Sequence, residues 1–295
     1  MKRKTAQTAA ILILLAVLLS ACAGVFAETG TGGVSTEILW LERDGKKIYG
    51  KLYQPEDAVF PLPLLILSHG LGSDHTIMEP YAELFAENGF AAFVFDYIGG
   101  SENSLSDGSM TEMSVLTEAE DLDCILDHFI GDVRLLRDEI YLFGGSQGGF
   151  ISSYVAGKRP ADTAGLILLY PAFNLQEISR SMVAQDGAVP DTAVIGEHTV
   201  GSIYLKDMMG FDIYEVLRQY TGPVLIFHGT ADPYVPMDYA RRAADELPDA
   251  RLVVMEGAGH GFDGEDRIRV VQDTTELIEN AQNELPLAAG AGMLY

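Results

Sequence analysis

"YLFGGSQGGF", residues 141–150, places four glycines around one serine directly after a short apolar run. The core of the stretch is Gly144-x-Ser146-x-Gly148, which suits a plain glycine-rich turn as well as a serine held out for chemistry. The residues after Ser146 read as a helix and those before it as a buried strand, so the stretch predicts a tight strand-to-helix turn. The same strand-then-glycine pattern returns along the chain on either side of this stretch. "PLLILSHG", "FAAFVFDY", "GLILLYP", "PVLIFHG" and "RLVVMEG" are short apolar runs, several ending in Gly or Pro. Continuous rather than alternating hydrophobicity marks strands buried on both faces of a parallel sheet.

Between these runs, helical patterns are expected near 77–88, 113–130, 147–157, 237–247 and 267–282. In the second, Leu116, Ala119, Leu122, Ile125, Leu126 and Phe129 recur at helical spacing, and the intervening acids read as a solvated face. "EILWLERDGKKIYGKLYQP" reads as a hairpin turning at Asp44-Gly45. The expected architecture is one α/β domain over 37–285, a mostly parallel sheet with helices on both faces. The roughly 50 residues between the runs ending near Pro171 and starting at Pro223 exceed an ordinary connection, so a cap is expected over about 172–220. Residues 286–295 form a C-terminal tail.

The chain's 295 residues are 48% hydrophobic, enough for a large core, and carry 43 acidic against 19 basic residues for a net charge of -24. Nucleic acid is not expected as a partner, because it needs a basic footprint. The acidity serves solubility and disfavours anionic substrates, a bias that salt weakens.

The N-terminus departs from that average. Lys2, Arg3 and Lys4 precede an apolar run from Ala9 to Leu19 and then small residues, the layout of an export signal. Leu19-Ser20-Ala21-Cys22 resembles a lipobox, making residues 1–22 a signal peptide with Cys22 as the lipidated residue; ordinary cleavage after Ala27 is the alternative. The expected location is the extracytoplasmic side of the membrane through a lipid anchor, or secretion without one. Residues 23–36, small and rich in Gly and Thr, read as a flexible tether spanning about 20 Å. With only Cys22 and Cys124 present, no disulfide framework is expected, and Cys124 reads as a small buried residue.

In an open parallel sheet, ligands bind beyond the carboxyl ends of the strands. The reactive residues falling there are Ser68-His69-Gly70, Asp96, Ser146, His228 with Asp232, and His260. Ser146, Asp232 and His260 come in the order nucleophile, acid, histidine that accompanies a serine on such a turn. A serine hydroxyl needs an imidazole to take its proton, and the imidazole needs a carboxylate to fix its tautomer. Read singly, Asp232 could be a turn-forming Asp-Pro and His260 an exposed loop histidine. The backbone N–H groups of Gln147 and Leu71 are the expected oxyanion donors. His228 reads as structural and His128 as part of a helix, while His75 and His198 are candidates for a substrate pocket. No residue cluster has metal-ligand spacing and no loop has a nucleotide-binding pattern, so no cofactor is expected.

"LSHGLGSDH", "FDYIGGSENSLSDGSMTEMSVLTEAEDLDCIL", "LFGGSQGGF", "IYEVLRQYTGPVLIFHGTADPYVP" and "EGAGHGF" together resemble the α/β-hydrolase superfamily, and within it bacterial cinnamoyl (feruloyl) esterases. The resemblance implies the α/β-hydrolase fold and hydrolysis of a small-molecule ester through an acyl-enzyme. It implies Ser146 as nucleophile, His260 as general base, Asp232 as its orienting acid, and an oxyanion hole near Leu71 and Gln147. The loop after Asp96, "GGSENSLSDG", is longer than the Gly-His-Gly-x-Ser form of the characterised esterases. In the cap, Tyr204, Met208, Met209, Phe211 and Tyr214 fit either an acyl site or simple packing. The expected function is a serine carboxylesterase, with hydroxycinnamoyl esters as one candidate substrate class. A lipase-like or aminopeptidase-like hydrolase with the same triad and a catalytically silent binding lipoprotein are the alternatives.

Overall fold

The computed structural model describes residues 33–284. The residues read as an export signal, Cys22 and the expected C-terminal tail lie outside the described residues, as does most of the segment read as a tether. The tether's last residues do not stay outside the fold: Val34–Thr36 belong to the first strand, where Val34 pairs with Pro55 and Thr36 with Tyr53. Their pairing partners come from later in the chain, which is why local composition did not reveal them.

Strands β1 (Val34–Arg43) and β2 (Lys46–Pro55) form the expected hairpin. Its turn places both Asp44 and Gly45 at positive φ, the geometry that matches the twist of paired strands. β1 is an edge strand. On it Trp40, the one tryptophan of the chain, is half exposed and lies edge-on to the Tyr49 ring opposite it.

The remaining elements alternate: β3 (Leu62–Ser68), α1 (Glu79–Glu87), β4 (Ala91–Phe95), α2 (Val115–Ile130), β5 (Leu135–Gly145), α3 (Gln147–Lys158) and β6 (Gly165–Leu169). Then comes the cap: α4 (Leu175–Asp186), a hairpin of β7 (Thr192–Ile195) and β8 (His198–Gly201), α5 (Ser202–Met209) and α6 (Ile213–Leu217). β9 (Val224–Gly229), α7 (Met237–Glu246), β10 (Ala250–Met255) and α8 (Gly264–Glu284) complete the domain.

Eight strands make one sheet in the order β1-β2-β4-β3-β5-β6-β9-β10, antiparallel at the β1-β2 and β2-β4 pairs and parallel elsewhere. Alternate residues of each strand face opposite cores. Leu64 and Ile66 of β3 join α2 and α3 on one side, and Leu65 and Leu67 join α1 and α8 on the other. Each fully buried side chain of this size contributes about 1.5–3 kcal/mol, so the two cores hold the sheet rigid.

The chain leaves β3 toward β4 on one side and later returns to place β5 on the other. This is the topological switch point, where the loops after adjacent strands part and leave a crevice. Five neighbouring strands, β3, β5, β6, β9 and β10, then deliver Leu71, Ser146, Tyr170, Asp232 and His260 to one edge of the sheet.

Two expectations for α2 need correction. Glu118 and Asp121 are buried, not part of a solvated face. Asp121 accepts from Arg43 Nε at 2.6 Å and from the Ile98 N–H at 2.8 Å, and burial pushes its carboxyl up to about 6 against these contacts. Cys124 is only half buried, with Sγ toward the Glu42 carbonyl.

Candidate active site

Ser146 sits between β5 and α3 at φ 55° and ψ -119°, a conformation L residues rarely adopt. Two backbone bonds hold it there: its N–H donates to Leu169 O at 2.9 Å, and the Ala172 N–H donates to Ser146 O at 3.0 Å. The glycines make the turn sterically feasible. A Cβ on Gly148 would stand 2.3 Å from Ser68 O, and one on Gly144 would stand 2.3 Å from Gly148 O. Both clashes are with backbone, which cannot swing away.

Ser146 Oγ lies 2.9 Å from His260 Nε2, and His260 Nδ1 lies 2.7 Å from Asp232 Oδ2. With Nδ1–H donating to the carboxylate, Nε2 carries a lone pair toward the serine hydroxyl. Asp232 also keeps the turn role open to it from the sequence, since Oδ1 accepts the N–H groups of Tyr234 and Val235 at 2.8 and 3.0 Å. Its burial favours the neutral acid, but the bonds from His260 and from these two N–H groups outweigh that and hold its pKa below the usual carboxylate value. His228 is buried, and burial lowers its pKa. Its neutral ring donates from Nε2 to Val235 O at 2.9 Å, bracing the Asp232 loop.

The loop after β3 meets the serine. A Cβ on Gly70 would touch Ser146 Cβ at 3.2 Å. His69 is buried, and burial lowers its pKa. Nδ1–H of the neutral ring donates to Gly70 O at 2.8 Å, and Nε2 accepts the Tyr97 N–H at 3.3 Å. The Ser73 N–H also donates to Gly70 O. In a trans peptide the C=O and the following N–H point in opposite directions, so fixing Gly70 O fixes Leu71 N–H. Gln147 opens α3, where the first N–H groups have no partner within the helix and the helix end favours negative charge.

The sequence left two tyrosines out of the site. The His260 ring lies between Tyr170, 4.4 Å away by ring centroids, and the exposed Tyr234 at 5.3 Å. Tyr170 is itself at positive φ directly after β6, and Tyr234 lies in "ADPYVP", so both stood beside residues already singled out.

His75 is not a pocket residue. It is buried, its Nδ1 lies 2.8 Å from Asp96 Oδ1, and its N–H donates to the same oxygen at 2.7 Å. Burial opposes charge on His75, but the Asp96 carboxylate prevails and raises its pKa. Asp74, His75 and Asp96 could bring ligand atoms within 4.8 Å of one another. The Asp96 oxygens, however, already serve His75 and the Leu105 N–H, which makes the group a clamp between loops. His128 is exposed on α2. His198, on β8, reaches the Gly72 backbone beside Leu71. Among the cap residues, Met208 and Tyr214 are buried in the core, Phe211 packs on Phe150 and Tyr154, and Tyr204 bonds to Gln147 at 2.6 Å.

A strand-turn-helix serine, a histidine and an acid after later strands, and a sheet of this order define an α/β hydrolase. The chain has the α/β-hydrolase fold, and two family models match it: that for serine aminopeptidase S33 over residues 61–188, and that for TAP-like proteins over residues 213–280. Among solved structures it resembles Est1E from Butyrivibrio proteoclasticus, with ferulic acid bound. The TM-score is 0.76 at 22% identity, covering 83% of this chain and 100% of that one. Among curated relatives it is 22% identical over 214 residues to the acylamino-acid-releasing enzyme of Rattus norvegicus, covering 68% of this chain and 29% of the relative. This chain thus spans less than a third of that relative's length. It is 21% identical over 252 residues to the proline iminopeptidase of Lactobacillus delbrueckii subsp. lactis, covering 67% of this chain and 83% of the relative.

Proposed function

We propose that this α/β hydrolase is a serine carboxylesterase acting through an acyl-enzyme. The observation that carries the reading is the unbroken chain from Ser146 Oγ through His260 to Asp232, at 2.9 and 2.7 Å. Ser146 Oγ attacks the ester carbonyl while His260 Nε2 takes its proton. The Asp232 carboxylate stabilises the imidazolium that forms. The N–H groups of Leu71 and Gln147 receive the oxyanion, a kind of contact worth about 3–4 kcal/mol per donor in the transition state. His260 then protonates the departing alcohol, and a water activated by the same imidazole releases the acid.

Likeness to Est1E, solved with ferulic acid bound, supports hydroxycinnamate esters as a substrate class, and neutral esters suit a molecule of charge -24. An aminopeptidase-like activity is the second reading, favoured by the proline iminopeptidase relative and the S33 model. A panel of esters from p-nitrophenyl acetate to methyl ferulate, run beside aminoacyl p-nitroanilides, separates the two. The ester reading expects turnover of esters and little of the anilides. Ser146→Ala is expected to lower kcat by about 10⁶-fold and to abolish labelling by a fluorophosphonate. Wild-type protein that is folded yet unlabelled would defeat every serine-hydrolase reading.

A further inference from the structure

The cap touches the chain on both sides of the site. From His198 to Tyr204, the whole of β8 and the first turn of α5, it meets the core in three places. A Cβ on Gly72 would stand 2.1 Å from His198 Cε1, so the imidazole rests directly on the Gly72 backbone. A Cβ on Gly201 would stand 2.0 Å from Thr111 O, so the chain runs against the loop between β4 and α2. The Tyr204 hydroxyl donates to Gln147 Oε1 at 2.6 Å. Gly72 comes directly after Leu71, and Gln147 directly after Ser146. One short cap segment therefore rests on both stretches of chain that carry the oxyanion donors.

Behind Gln147 stands a brace from the core. Gln147 Nε2 donates to Glu118 Oε2 of α2 at 2.6 Å, so the carboxamide is held at both ends, by α2 and by the cap helix. Tyr204, Gln147 and Glu118 are each 0–1% exposed. Water does not compete for these bonds, and losing one partner leaves a buried polar atom unsatisfied. A second link runs parallel to the first, as the hydroxyl of Ser114, the N-cap of α2, donates to Asp207 of α5.

We propose that the cap segment His198–Tyr204 positions the oxyanion hole. Tyr204 acts through the Glu118-braced side chain of Gln147, and His198 acts through Gly72. The proposal rests on the esterase reading, because it needs an oxyanion to form at Leu71 and Gln147. Tyr204, Glu118 and His198 are positioning residues: they hold the donor peptides and do not touch the reacting atoms. A seated cap then sets kcat for every ester, whatever its acyl chain.

Steady-state kinetics of the full chain on p-nitrophenyl acetate and p-nitrophenyl octanoate tests this. Tyr204→Phe, which removes one oxygen, is expected to lower kcat by about 10–100-fold on both esters, the scale of a small misplacement at a reacting centre, with KM within about twofold. Glu118→Ala is expected to give a similar loss, the double variant little more than either single one, and Glu118→Gln to recover most of it because its carbonyl can still accept from Gln147. His198→Ala, at a half-buried position, reads the second contact without disturbing the core. Unchanged kcat on the acetate with raised KM on the octanoate would make these residues pocket walls and overturn the proposal. So would losses that multiply in the double variant. Fluorophosphonate labelling of the wild type reads Ser146 alone, so failure of the esterase reading shows there and failure of the positioning role shows only in the variants.

Discussion

Holding Ser146 at φ 55° costs about 1–3 kcal/mol, and the residues around it are chosen to keep that conformation in place. Gly148 is the sharpest case, since any side chain there drives into the carbonyl oxygens of Ser68 and His69. Gly148→Ala is expected to cost about 1–3 kcal/mol in urea unfolding, the range for overpacking. Gly259→Ala, whose added Cβ would meet nothing within 4 Å, should stay within about 0.5 kcal/mol. At this scale the sequence was informative wherever a reactive side chain ended an apolar run. Ser146, Asp232 and His260 could be picked out because a parallel sheet brings all its strand ends to one edge. Tyr170 and Tyr234 were not, since nothing local tells which side of an imidazole an aromatic ring will cover.

Among the elements, α2 was located correctly by its apolar spacing and misjudged on its acids. Glu118, Leu122, Ile125 and Phe129 succeed one another by four, three and four residues, which puts the carboxyl on the buried face. Its partner Gln147 lies 29 residues from it along the chain, and Tyr204, which bonds Gln147 in turn, a further 57 residues on, beyond the reach of any periodicity. Burial pushes Glu118 up to about 8, while the bond from Gln147 works the other way and Asp121 adds to the rise. An acid whose pKa is raised on folding binds its proton more tightly in the folded state. Its contribution to stability is complete below the unfolded value near 4.3 and is lost as pH rises toward about 8. Wild-type melting temperature is therefore expected to fall between pH 5 and 8 in part through Glu118. Glu118→Gln should flatten that part of the slope and melt above wild type at pH 8, while the share due to Asp121 remains. A slope unaltered by the substitution would show that Glu118 is ionised in the folded protein. The cap hairpin of β7 and β8 was equally invisible in the sequence, because its strands are four residues each and half exposed, too short to show a period.

For the whole molecule, the order of elements was legible from the alternation of buried runs and helical patterns, and the position of the cap from a gap in that rhythm. The first strand began earlier than composition suggested, so the folded body takes up Val34–Thr36 and shortens the proposed tether. We propose that a lipid on Cys22 holds this acidic body at the membrane. Cys22→Ala is expected to move the protein from the membrane fraction to the soluble one, and a wild type already soluble outside the cell would refute the anchor. The position of Trp40 carries a practical consequence for following such a molecule in solution. As the single tryptophan, on the edge strand against Tyr49, it makes intrinsic fluorescence a reporter of the N-terminal hairpin. Emission would track the fraying of β1 from β2 and stay silent to events over Ser146. A probe of the cap needs its own fluorophore, and Val194→Trp on exposed β7, in a Trp40→Phe background, would supply one.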